Sequence, residues 1–387
     1  MLREKMGSAA AMALLAVAGC GGGGGGAQPP TAGMQPPSAI HAGEGQLNLI
    51  TWQGYTKATW VDPFVQQTGC SVNARFAASP DEMVSLMASG GGGKWDMVSA
   101  SADIGRQLIT NGDVRPMNTG LISDYISFMP PFKSPAFNTV DGIHYGISLQ
   151  WGTNLLLYNT NTFKVAPASW GVVYDPTYSG LVTVPDNAMQ IADAALLLMK
   201  KRPELKISDP YELTQLQFDA AVALLKTQRP LVTSYWARAS DEVALFRSDQ
   251  AQVGVAWPYQ AIALAAGSAP VKETIPTEGA TAWADSWMMA TKATHPNCAY
   301  LWTRYVSTAQ VQAMQAISYG ETPVNSKACD AMNTIQQGSC AQHHADASAS
   351  YLSAIKFWKT PLSACDDGSQ KCVPLAKWQA AWATITA

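Results

Sequence analysis

Apolar and polar positions fall into short periodic runs along most of the chain, and the period of each run predicts an element. Gln-Leu-Asn-Leu-Ile-Thr alternates and then turns apolar, which predicts a buried strand over 46–51 that empties into Trp52-Gln53-Gly54-Tyr55. A helical stripe over 59–67 ends at Gly69, and a second strand is expected over 71–76. Ser79-Pro80-Asp81-Glu82 supplies an N-cap, a proline at the first helical position and acids in the first turn, so a helix is expected to about residue 89, where Gly90–Gly93 breaks it. A third strand, 95–99, leads to Ser101-Ala102-Asp103 at a strand-to-helix junction, where these polar residues either cap the helix or face a ligand.

The second half repeats the theme. Strands are expected at 145–148 and 155–158 around Trp151-Gly152-Thr153, where a crossing between lobes fits. The strand at 181–184 runs into Pro185-Asp186-Asn187-Ala188-Met189-Gln190 and a helix through Lys200. Asp209-Pro210-Tyr211-Glu212 resembles a capping box opening a helix to about 226, and Ser240-Asp241-Glu242 reads as the cap of another. A strand at 252–256 ends in Trp257-Pro258, helices are expected at 259–266, 297–306 and 309–317, and the tail reads as helices at 348–358 and 373–384. Alternation of strand and helix argues for an α/β fold with largely parallel sheets, and strand ends bearing Trp or polar residues recur in both halves. Two sheets facing each other across a cleft follow from that pattern.

Composition sharpens this picture. At 387 residues the chain exceeds a single core, so two lobes are expected. The formal net charge of −3 offers no basic excess to neutralise phosphates, which argues against nucleic acid as a partner. Thirteen Trp and thirteen Tyr are enough to line a cleft. Arg3 and Lys5, an apolar run over 9–17 too short to span a bilayer, and Val17-Ala18-Gly19-Cys20 read as an export signal over 1–19. The small-small-Cys ending resembles a lipobox, which places lipid on Cys20. The Gly/Pro-rich stretch 20–45 then reads as a flexible tether, with the fold beginning near Gln46. Six further cysteines in an exported chain favour disulfides: the close pairs Cys329/Cys340 and Cys365/Cys372 leave Cys70 with Cys298. Metal binding by these cysteines is the weaker rival, because no Cys-x-x-Cys occurs.

Trp283-Ala284-Asp285-Ser286-Trp287 is the stretch with the clearest candidate chemistry. A carboxylate between aromatic faces holds a small organic cation, since the rings attract positive charge and the acid neutralises it. The competing reading is a buried strand whose Trp residues are core. No Gly-x-Ser-x-Gly elbow, Walker loop, His-Glu-x-x-His or dinucleotide fingerprint appears, which argues against an enzyme.

Leu49-Ile50-Thr51-Trp52-Gln53-Gly54-Tyr55, Trp95-Asp96-Met97-Val98, Val255-Ala256-Trp257, Trp283-Ala284-Asp285-Ser286 and Ile317-Ser318-Tyr319-Gly320 occur in the order and approximate spacing of the bacterial spermidine/putrescine-binding proteins, which the chain resembles from residue 46 to 358. The resemblance implies a two-lobed type II periplasmic binding protein fold, with lobe 1 from 46–153 plus 285–325 and lobe 2 from 154–284 plus 326–387, closing on a hinge around its ligand. It implies Trp52, Gln53 and Tyr55 at the cleft, Ser101 beside them, and Asp103 where the family has an aromatic. Trp257 and Trp283 would stack on the ligand, Asp285 would pair with its cationic nitrogen, and Tyr319 matches the family's tyrosine near the later turn. Two departures stand out: Gly54 replaces an acid, and Asn187 and Gln190 replace an Asp-x-x-Glu pair. The ligand expected is therefore a polyamine, or an amine or amino-acid-like compound with one cationic head, and Asp103 or Glu321 could restore a second acid by pointing inward. The implied partners are that amine and an ABC permease of the inner membrane, with lipid on Cys20 holding a monomer at the periplasmic or outer cell surface. No cofactor is implied. The alternatives are an exported hydrolase with an unrecognised site, a lipoprotein scaffold, or a binding protein of the same fold for a non-amine solute.

Overall fold

The computed structural model describes residues 28–387; the export signal and Cys20 lie outside the described residues. Two mixed sheets carry the fold. The larger runs Thr322–Pro323, Gly146–Thr153, Ala280–Met289, Met97–Ser101, Gln46–Thr51, Ser71–Phe76, with Ile355–Phe357 alongside the start of Ala280–Met289. The smaller runs Val271–Thr274, Leu155–Asn159, Val253–Ala256, Val182–Pro185, Val232–Trp236. The chain passes between the sheets at Asn154, again at 275–279, and once more after Phe357, where the terminal helix Leu375–Thr386 sets Trp378 against Phe218 of helix Gln215–Gln228. One hydrophobic cluster runs from Leu47 and Leu49 through Trp151 and Leu156 to Val253, so both sheets share a continuous core.

The expectation of largely parallel sheets is corrected. Gln46–Thr51 pairs parallel with both neighbours, but Ala280–Met289 lies antiparallel to Met97–Ser101 and to Gly146–Thr153. The smaller sheet likewise has an antiparallel side. A chain that returns to the first sheet at residue 280 does so without a crossover helix, which allows the reversed direction.

Most helix ends follow their local chemistry. The Ser79 side chain accepts from the Glu82 amide and opens Pro80–Met87, and Gly69 closes Ala58–Thr68 in the left-handed region. Four expectations fail for tertiary reasons. The third strand is Met97–Ser101, because Asp96 is drawn into bonds with Thr294 and His295. The helix expected from Asp209 starts at Gln215, with Gln217 accepting from the Thr214 amide, while Tyr211 and Leu213 are buried ahead of it. Glu242, read as part of a helix cap, is wholly buried and accepts from Gln260 at 2.9 Å. The 348–358 segment is a short helix, Ala349–Ser353, followed by a strand that adds to the larger sheet.

The chain is already docked before Gln46. Thr31 donates to the Val114 carbonyl, Asn118 to that of Pro37, and Glu44 accepts from the amides of Asn297 and Cys298. Cys70–Cys298, Cys329–Cys340 and Cys365–Cys372 are disulfides, the first tying residues 228 positions apart. Closing so long a loop is the largest entropic restraint among the three.

Candidate ligand site between the lobes

The site grows from four chain segments that end at the lobe crossing. The turn after Gln46–Thr51 is closed by the Tyr55 amide donating to the Trp52 carbonyl, and it buries the Tyr55 ring while Gln53 stays exposed. Ala280–Met289 contributes Asp285, directly opposite Ser101 on Met97–Ser101, at the point where pairing with Gly146–Thr153 slips register. Such an irregularity re-aims a side chain and is common beside functional sites. Helix Ala102–Asn111 places Asp103 in its first turn. Helix Ala309–Tyr319 ends in the left-handed Gly320, and the Glu321 amide donating back to Ala316 fixes the direction of Glu321.

These segments converge on the Tyr55 hydroxyl, which lies 2.6 Å from Asp285 Oδ2 and 2.9 Å from Glu321 Oε1. Asp285 is 2% exposed, Asp103 5% and Glu321 8%. Burial pushes the Asp285 carboxyl up to about 6, against hydrogen bonding from Tyr55, Ser101 and Trp52. Burial, reinforced by the Asp285 charge, pushes Asp103 up to about 7. The same two causes hold Glu321 well above the ordinary carboxylate range. Asp103 Oδ1, Asp285 Oδ1 and Glu321 Oε2 are buried with no hydrogen-bond partner. The Tyr319 ring lies 5.6 Å from that of Tyr55, in the space beside Gly54; a Cβ at Gly54 would fall 2.3 Å from the Tyr319 hydroxyl.

Aromatic rings form the next layer. Trp283 lies across Gly152, where a Cβ would sit 2.4 Å from the indole, and meets Trp257 edge to face at 5.9 Å. Trp257 in turn meets Trp236 at 4.7 Å, and its indole donates to Asn154 at 3.1 Å. Asn154 sits at the lobe crossing and donates to Thr281 at 2.7 Å and to Asp193 at 3.3 Å. Gln190 is buried and donates to Asp193 at 2.6 Å, whereas Asn187 accepts from the Met189 amide and shapes the turn into that helix. Trp287 packs beneath this layer, edge to face with Trp302.

Tyr55, Ser101, Asp103 and Asp285, read from the sequence as site residues, are thus gathered at one end, with Trp52 and Tyr319 beside them; Trp257 and Trp283 stand together in the aromatic layer. Gln53 faces solvent, Asn187 is used in a turn, and Gln190 bonds to Asp193. Glu321 was named only as an acid able to point inward, and Trp236 and Asn154 were not among the predicted set. Glu321 had a signal, since it follows the Tyr319-Gly320 helix end; Trp236 and Asn154 had none beyond lying at a strand end and a strand junction. Among the described residues no three His, Cys, Asp or Glu side chains are grouped to hold a metal ion. Buried acids next to indole faces hold a cation by charge and ring quadrupole.

Over residues 59–339 the chain matches the family model described as bacterial extracellular solute-binding protein. The chain belongs to this family of solute-binding proteins. It is 24% identical over 294 residues to the spermidine/putrescine-binding periplasmic protein 1 of Haemophilus influenzae, covering 75% of this chain and 78% of the relative. Its fold superposes on a spermidine/putrescine ABC transporter protein of Listeria monocytogenes with a TM-score of 0.72 at 16% identity, covering 88% of this chain and 99% of the other. A lipoprotein of Treponema pallidum follows at a TM-score of 0.69 and 14% identity, with 88% and 99% covered. This solute-binding protein therefore has the two-lobed α/β architecture of the periplasmic binding proteins. The family binds small molecules for ABC importers and is not a family of enzymes. No helix among the described residues is long and apolar enough to cross a membrane.

Proposed function

We propose that this chain is the lipid-anchored solute-binding protein of an ABC importer, that it captures a small amine in the aromatic cleft, and that it hands the amine to a permease. Lipid on Cys20 holds a monomer at the periplasmic or outer face of a bacterial membrane. The observation that carries the reading is Asp285: a carboxylate 2% exposed, with Oδ2 on Tyr55, Oδ1 without a donor in bonding geometry, and the Trp52 indole near it. A buried acid left open is costly unless a cation arrives. Trp283 and Trp257 cover the ligand's alkyl part, and closure of the lobes built on the two sheets, about the crossings at Asn154, 275–279 and after Phe357, excludes water. Asn187, taken up in a turn, and Gln190, bonded to Asp193, add no second free acid, which suits a ligand with a single cationic head. Calorimetric titration with spermidine, putrescine and monoamines tests this. Stoichiometric binding of at least one, lost in Asp285→Ala, is expected; no heat with any of them, or unchanged affinity in the variant, overturns it.

A further inference from the structure

Tyr55 contacts two carboxylates at once, Asp285 Oδ2 at 2.6 Å and Glu321 Oε1 at 2.9 Å. A phenol has a single proton to donate. Both contacts are hydrogen bonds only when one acid brings a proton of its own. Tyr55 keeps its proton, since burial and the two adjacent acids hold its hydroxyl well above the usual tyrosine range. Burial and the Asp285 charge favour the neutral form of Glu321.

Among the described residues no cation is bonded to this cluster. Around Glu321 stand Tyr55 from the first turn, Asp285 from the long strand, Tyr319 from its own helix, and Asp103 beyond Asp285. His343, with Nδ1 3.1 Å from the Glu321 carbonyl oxygen, is kept neutral by burial. Lys57 lies 4.6 Å from the Tyr319 ring centroid with its ammonium on Ser318. Three carboxylate oxygens, one each on Asp103, Asp285 and Glu321, remain buried without a donor. A primary ammonium brings three N–H donors and a quaternary ammonium brings none.

The position of Glu321 also explains Gly54. With φ at +103° and the Tyr319 hydroxyl 2.3 Å from where a Cβ would lie, residue 54 has no room for an acid while Tyr319 is in place. The helix end at Gly320 instead delivers a carboxylate to Tyr55 from the opposite side.

Resting on the amine-binding reading above, we propose that Glu321 is a specificity-determining acid that contacts the ligand, that it is protonated in the ligand-free protein, and that it releases its proton when a primary ammonium enters. The Glu321 O–H bond breaks, the proton leaves to solvent, and the freed carboxylate accepts an N–H from the ammonium. Tyr55 keeps its proton on Asp285. One positive charge enters as one negative charge forms, so the buried site keeps its net charge.

The test is titration of putrescine, butylamine and butyltrimethylammonium near pH 6, in two buffers of different ionisation enthalpy, on the wild type and Glu321→Gln. The expected result is about one proton released per primary amine by the wild type, that release lost in Glu321→Gln, and the quaternary ion bound at least about tenfold more weakly than butylamine. Equal proton release by both proteins, or equal binding of the quaternary ion, overturns the proposal while leaving amine binding intact. Infrared spectra of the ligand-free proteins provide a reading that needs no ligand. A protonated-carboxyl band lost in Glu321→Gln is expected, and an unchanged band overturns the proposal even if no amine binds.

Discussion

Asp285 and Asp193 are two buried acids with opposite furnishings. Burial pushes each up to about 6. Asp193 is filled: Oδ1 accepts from Thr281, and Oδ2 accepts from Gln190 at 2.6 Å and Asn154 at 3.3 Å. All three donors are neutral, and two of them sit where the chain crosses between the sheets. Asp285 has a formed bond only on Oδ2, from Tyr55, while the Ser101 hydroxyl and the Trp52 indole stand near it and Oδ1 has no partner in bonding geometry. A carboxylate saturated by the protein's own donors ties elements together, whereas one left open awaits a donor from outside. The contrast separates the part of the crossing that holds the lobes from the part that reads the ligand.

Replacing each acid by its amide breaks the comparison most directly. Asp285→Asn is expected to weaken amine binding by about 100-fold or more, the order found when one partner of a buried charge pair is removed. The ligand-free protein should melt no lower, because Asn keeps an acceptor for Tyr55 and turns an amide toward the remaining acids. Asp193→Asn should do the reverse: an NH2 group facing Thr281, or Gln190 and Asn154, leaves donors unpaired and costs about 1–3 kcal/mol of stability. Its amine affinity should stay within about threefold. Titration and thermal melting of both variants decide the matter, and equal effects on both observables would dissolve the distinction.

A smaller effect concerns pH. Asp285 and Asp103 are raised from ordinary carboxylate values to about 6 and about 7, so the folded protein holds their protons longer than the unfolded chain does. Their contribution to stability is complete below about pH 4 and is lost as pH rises through 6 and then 7. Thermal melts of the ligand-free protein should show Asp103→Asn gaining on the wild type across that window, by up to a few kcal/mol at its upper end. A gap that does not change with pH would mean that Asp103 carries no shifted proton.

Much of the scaffold was legible in the chain because its signals are local. The cap at Ser79, the glycine at residue 69, and strands emptying into Trp52 and Trp257 all lie where their neighbours dictate. Spacing paired the cysteines correctly, since two close pairs left one distant pair. The failures share a cause in distant partners. Glu242 reads as a capping acid, but Gln260 and the bare backbone of Gly254 draw it wholly inside. Residues 29–45 read as tether because Gly and Pro dominate, yet Glu44 finds the amides of Asn297 and Cys298 more than 250 positions away. Asp285 was legible from its flanking Trp residues. Its partnership with Glu321 was not, because it exists only where the helix end at Gly320 meets the turn at Tyr55.

The most direct measurement is the mass of the compound released when the protein, purified from its native envelope, is denatured. A small molecule carrying at least one primary amine is predicted, present in wild type and depleted in Asp285→Asn. An uncharged sugar or an anion without amine nitrogen, released equally by both proteins, would contradict the account.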